Sequence, residues 1–118
     1  MTSVLFDSER KIMDLIWENE PVSSKEISVL AEKAVGWNKN TTYTVVKKLV
    51  AKGVVKRSDP GFVCTSLVSR ESVRRAEAKT LIDKVFGGSK KALFSALLED
   101  ESLSREELDE LREMIEGR

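Results

Sequence analysis

A mainly α-helical fold carrying one small β-hairpin is what this 118-residue sequence predicts. Three observations point to it. Apolar residues recur at three- and four-residue spacing along six stretches, the signature of amphipathic helices. One pair of short β-rich runs, residues 54–58 and 62–66, flanks the turn sequence Asp59-Pro60-Gly61. The helical stretch just before that hairpin is apolar on one side and basic on the other. Helix, turn, basic helix, glycine and hairpin is the order of a winged helix-turn-helix. The expected division is a winged helix over 1–67 and a helical module over 68–118.

Residues 1–6 are expected to fray. Asp7 or Ser8 can cap a first helix running to about residue 18 or 19, because a short polar side chain accepts from the unpaired N–H groups of a first turn. Ile12, Leu15 and Ile16 form its apolar stripe, widened by Met13 and Trp17. The Trp17 indole reads as an interior anchor. Pro21 stops the helix, since proline disfavours helical backbone at the preceding residue. Ser23 and Glu26 have the S-x-x-E spacing of a capping box ahead of Ile27, Leu30 and Ala31, so a second helix is expected over 24–33. Ala34-Val35-Gly36 makes the turn, and Trp37 plugs the junction with the next helix.

That next helix, 40–52, is the centre of the functional reading. At about 100° per residue, Thr42, Val45, Val46 and Leu49 fall on one face. Asn40, Tyr43, Thr44, Lys47, Lys48 and Ala51 fall on the other, and Gly53 ends the helix in the position after its last turn. From Lys39 to Arg57 the chain has six basic residues and no acidic one, although its 20 Lys/Arg and 20 Asp/Glu leave no net charge overall. A local excess of positive charge on a neutral chain points to a polyanion. Lys56 and Arg57 extend the basic surface onto the hairpin. Ser23, Ser24 and Lys25 open the second helix, where backbone N–H groups can meet a phosphate. The plain alternative is a solvated basic helix face.

Ser69 caps a long helix over 70–86 with Val73, Ala76, Thr80, Leu81 and Val85 at helical spacing. Gly87-Gly88 ends it, and Ser89 caps a helix over 90–98 with Ala92, Leu93, Ala96 and Leu97 on one face. Glu99-Asp100-Glu101 is a polar link. Ser104 and Glu107 form a second capping box, opening a last helix with Leu108, Leu111, Met114 and Ile115 on one side. These stripes are too narrow to make a core alone. They are expected to meet across a twofold dimer, with Val73, Leu81, Val85, Leu93, Leu97, Leu108, Leu111 and Ile115 at the interface. The alternative is that they fold back on the first domain. Residues 99–116 hold nine acids and two arginines, so this end should face away from a nucleic acid.

Composition narrows the chemistry. The chain has no histidine, which removes the commonest general base and the commonest neutral metal ligand. Its single cysteine, Cys64, excludes an internal disulfide, fits a reducing cytosol and reads as a small buried hydrophobe. There is no phosphate-cradling glycine loop and no nucleophile–base pair, so neither catalysis nor a cofactor or metal is expected. No apolar run reaches 18 residues and no signal peptide opens the chain, so a cytoplasmic protein without a membrane partner is expected.

The chain resembles the penicillinase-repressor family, the bacterial repressors of β-lactamase and methicillin-resistance genes and their relatives. The residues that carry this are Glu9-x-x-Ile12-Met13-x-x-Ile16-Trp17, Val22-Ser23-x-x-Glu26-Ile27 and the run from Trp37 through Thr41-Thr42-Tyr43-Thr44-Val45 to Leu49. They continue with Lys52-Gly53, Arg57, Val68-Ser69-Arg70-Glu71, Phe86-Gly87-Gly88-Ser89 and Glu107-Leu108-x-Glu110-Leu111. The resemblance implies an N-terminal winged helix, a C-terminal helical dimerisation domain, and a homodimer bound to a double-stranded operator so as to block transcription. It places Thr41, Thr44 and Lys48 at positions that contact DNA in relatives. Antibiotic-sensing members are cut at an Asn-Phe bond in the C-terminal domain. The matching pair here is Ala96-Leu97, so the resemblance does not carry that cleavage over, and it leaves an inducer or a protease open as a further partner. The cysteine pairs of the copper-responsive branch are absent, which excludes that mode of sensing.

Two other classes are compatible with a winged-helix scaffold or a small globular chain. A protein-interaction module on a winged-helix scaffold would keep its partner when Lys47 and Lys48 are neutralised. An enzyme lacks any constellation to work with.

Overall fold

The computed structural model describes residues 5–99 and 103–117. The elements run α1 Asp7–Asn19, β1 Val22–Ser23, α2 Ser24–Val35, α3 Lys39–Ala51, β2 Val55–Ser58, β3 Val63–Ser66, α4 Arg70–Val85, α5 Lys90–Glu99 and α6 Arg105–Glu116. By compactness the chain divides inside α4, into Met1–Glu77 and Ala78–Arg118. That division comes ten residues after the 67/68 boundary read from the sequence, because the start of α4 packs on the first unit. Val73 is buried there. Arg70 reaches Asp14 and Glu18 of α1, and Arg10 of α1 pairs with Glu77. The hydrogen bond to Glu77 raises the Arg10 pKa above its ordinary value.

In the first unit α1, α2 and α3 enclose one apolar core built on Ile12, Met13, Ile16, Ile27, Val46 and Leu49. Leu5 is buried in this core too, so the expected fraying does not hold at that residue; residues 1–4 lie outside the described residues. The N-cap of α1 is Phe6, neither Asp7 nor Ser8. Phenylalanine has no side-chain acceptor, so Glu9 stabilises the turn alone by accepting from the Phe6 N–H at 2.8 Å. Trp17 packs against the core and donates its indole N–H to the Val68 carbonyl at 3.0 Å, with the Arg70 guanidinium 5.3 Å over the ring.

The capping box of α2 forms as expected, with Ser23 Oγ accepting from Glu26 N and Glu26 accepting from Ser23 N. Helix α2 runs two residues beyond expectation and ends at Gly36, whose φ of 71° is the left-handed cap that glycine adopts without a Cβ penalty. The hairpin pairs β2 with β3 in the register Val55 to Ser66 through Ser58 to Val63. A third strand joins them. The two residues of β1 pair antiparallel with β3, giving the order β1-β3-β2. Cys64 on the central strand is a buried free thiol, which agrees with its reading as a small hydrophobe.

In the second unit, Ser89 caps α5 by accepting from Ala92 N at 3.0 Å, and Ser104 and Glu107 close the box that opens α6. Neither α5 nor α6 has a buried residue. Asp100 and Glu101 of the expected polar link lie outside the described residues. No helix of the described residues is long and apolar enough to cross a membrane.

Candidate nucleic-acid interface

Helix α3 is set by its two ends and its inner face. Asn38 caps it, its side-chain oxygen accepting from Thr41 N at 2.8 Å. Lys52 closes it and Gly53 follows at φ 78°. Thr42, Val45, Val46 and Leu49 are its buried residues, the face assigned from the sequence. The outer face then follows from geometry. Asn40, Thr41, Thr44, Lys47 and Lys48 are exposed, and Tyr43 is half-buried at its edge. Thr44 donates its hydroxyl proton to the Asn40 carbonyl at 2.9 Å, which leaves its oxygen to act toward a ligand only as an acceptor.

Lys52 stands apart from the other bases of this stretch. Its ammonium lies 2.6 Å from Glu9 Oε1 and 4.6 Å from the centroid of the Phe6 ring. Glu9 is 1% exposed. Of the six basic residues from Lys39 to Arg57, this one is compensated by an acid contributed from α1. The chain had shown no acid within that stretch, and the compensating residue lies 43 positions away.

At the start of α2 the backbone donors are largely committed. Ser23 N donates to Glu26 Oε1 at 3.2 Å. Ser24 N donates to the Phe62 carbonyl at 3.1 Å, and Ser24 Oγ to the same oxygen at 3.3 Å. These bonds commit the Ser23 and Ser24 N–H groups, two of those expected to meet a phosphate. Lys25 is exposed at this turn. On the hairpin, Lys56 and Arg57 are exposed.

A groove joins these pieces, lined by Ser24 and Lys25 of α2, Tyr43 and Lys47 of α3, Arg57 of β2 and Phe62. The sequence places Phe62 at the start of the second strand of the hairpin. It stands instead just before β3 with φ 52° and its side chain largely in solvent, the Arg57 guanidinium 5.1 Å over the ring. The Gly61-Phe62 dipeptide after Pro60 was the available signal, an aromatic at a turn where strand alternation has not begun.

The residues expected at a dimer interface are not all in one place. Val73 belongs to the core of the first unit at 3% exposure, which takes it out of reach of a partner. Leu81 and Val85 are exposed on α4. Leu97 of α5 and Leu108, Leu111 and Ile115 of α6 line one apolar groove with Phe94 and Leu98. Leu93 is half-buried on α5, and Ala96, beside Leu97, is exposed. Among the described residues, no group of acids and cysteine is arranged to hold a metal ion.

Comparison with known proteins agrees with this geometry. A family model described as Penicillinase repressor matches residues 5–117. A penicillinase repressor of Staphylococcus aureus is 29% identical over 110 residues, covering 92% of this chain and 87% of its own. The methicillin resistance regulatory protein MecI of Staphylococcus aureus strain N315 is 28% identical over 116 residues, covering 97% and 94%. The solution structure of the DNA binding domain of the repressor BlaI has the same fold, with a TM-score of 0.54 at 24% identity over 59% of this chain and 90% of that one.

Proposed function

The chain belongs to the penicillinase repressor family, and from that premise we propose that it is a transcriptional repressor that binds a palindromic operator as a homodimer. Each protomer lays α3 in a major groove, and polymerase is excluded where the operator overlaps a promoter. The observation that carries this reading is the outer face of α3. It presents Asn40, Thr41, Thr44, Lys47 and Lys48 to solvent with no acidic side chain among them. Threonine and asparagine suit base edges and thymine methyls, and lysine suits phosphate or guanine. Lys25 and Arg57 flank that face on the same groove and meet the phosphates on either side. The repressor names of the relatives support the regulatory outcome.

Dimerisation is supported by the second unit. Leu81, Val85, Phe94, Leu97, Leu98, Met114 and Ile115 are all exposed. Burying a side chain of this size contributes about 1.5–3 kcal/mol, and a second copy of the same stripe provides the cover. Two copies of α3 then match the two halves of a palindrome.

The test is a mobility-shift titration against the upstream region of the protein's own gene at two salt concentrations, with a Lys47→Ala/Lys48→Ala variant beside the wild type. A dimer neutralising about 6–8 phosphates gives a slope of log K against log salt of about −5 to −7. The variant is expected to lose the discrete complex. Tight binding with a shallow slope, or a variant that binds as well as wild type, overturns the assignment of α3. If the upstream region gives no complex, selection from a random duplex pool decides whether the operator lies elsewhere.

A further inference from the structure

We propose that Phe62 is a DNA contact, its ring packing on the deoxyribose face of the backbone strand whose phosphates Lys25 and Arg57 meet. The inference rests on the DNA-binding reading above and adds to it an apolar contact at a residue outside the basic set. An isolated exposed apolar side chain needs no explanation, since most folded surfaces carry some. Three features set this one apart.

Phe62 is not isolated. Phe62 lines the groove that Lys25, Lys47 and Arg57 also line, so an exposed aromatic residue sits among positive charges. A polyanion whose charges flank an apolar sugar has the complementary pattern. The ring is also held in place. The Phe62 carbonyl accepts from both Ser24 N and Ser24 Oγ, which fixes the turn to the start of α2. The Arg57 guanidinium, 5.1 Å over the ring, couples a phosphate-binding group to an apolar plate. Finally, the backbone at Phe62 adopts φ 52°, a left-handed conformation that bulky residues rarely take. Residues kept in such conformations cluster where a ligand is bound. Phe62 is 53% exposed, so burial within the chain does not account for keeping an aromatic there.

An apolar contact leaves a different trace from an ionic one. Losing a phosphate contact lowers the magnitude of the salt slope by about 1 per lysine, whereas losing a sugar contact weakens binding equally at all salt concentrations. The experiment uses the full-length protein and a duplex that the wild type selects from a random pool. Phe62→Ala is expected to weaken binding about 5- to 30-fold with the salt slope unchanged, and Phe62→Tyr, which keeps the ring, to stay near wild type. Phe62→p-benzoylphenylalanine is expected to crosslink to that duplex on irradiation. This readout requires proximity to DNA and does not depend on how Phe62→Ala folds. Unchanged affinity in Phe62→Ala together with no crosslink overturns the inference and leaves the DNA-binding reading standing. Failure of the wild type to select any duplex removes the reading itself.

Discussion

Glu9 is buried with one carboxylate oxygen shared between the Phe6 N–H and the Lys52 ammonium. The pair fastens the last turn of α3 to the first turn of α1. Its two members differ in their access to water, since the Lys52 side chain is 27% exposed and that of Glu9 only 1%. Removing each partner is therefore unequal. Lys52→Met leaves a buried carboxylate without its countercharge and is expected to cost about 2–4 kcal/mol. Glu9→Gln leaves an ammonium that water can reach and an amide oxygen that can still accept from Phe6, and is expected to cost about 1–2 kcal/mol. Urea denaturation of the two variants checks the order, and the reverse order would sink the argument. Lys52→Met should also leave the salt slope of DNA binding unchanged, unlike Lys47→Ala/Lys48→Ala. No reading of the sequence could have found this pair. Spacing rules reach three or four residues along a helix, and these partners meet only because α1 and α3 pack together.

Helix α3 shows how much of an element is written locally. Its buried face follows from 3.6-residue periodicity, and Gly53 marks its end. The boxes of α2 and α6 are legible for the same reason, since a serine and a glutamate three residues apart satisfy each other before any tertiary contact forms. Asn38 does the same work for α3 with one bond, to Thr41 N. Asn38→Ala is expected to destabilise the first unit by about 1 kcal/mol. It is also expected to weaken DNA binding beyond the loss in folded protein, because Thr41 and Asn40 sit in the turn that the cap holds. Chemical denaturation gives the first quantity, and titration at protein concentrations corrected for folded fraction gives the second; a change in stability alone would put Asn40 and Thr41 outside the interface. Strand β1 was not legible. Two residues are too short to show alternation, and their extended state is set by pairing with Val63 and Cys64, some forty residues on. Phe62 is tied across a similar span of sequence, its carbonyl accepting from Ser24 N and Ser24 Oγ.

At the scale of the whole chain, the two units differ in how they are held. The first encloses a core of its own, while α5 and α6 bury none of their residues. Ile115 is 66% exposed, so Ile115→Lys would be nearly neutral for a monomer. In the proposed dimer it places a charge in the interface, and sedimentation equilibrium is expected to shift toward monomer with operator affinity falling in parallel. An unchanged molecular mass would remove Ile115 from the interface. The apolar stripes were legible in the sequence, but their membership was not. Val73 has the same helical spacing as Leu81, yet it falls on the near side of a division that lies within one uninterrupted helix. Unburied stripes have a further consequence under heating. When folding of a unit is coupled to association, the second copy acts as a ligand for the folded state, and the melting temperature depends on concentration. Differential scanning calorimetry should then separate a transition for Met1–Glu77 that stays fixed on dilution from one for Ala78–Arg118 that falls. In the proposed dimer, the protein's own abundance then sets the temperature up to which the second unit stays folded.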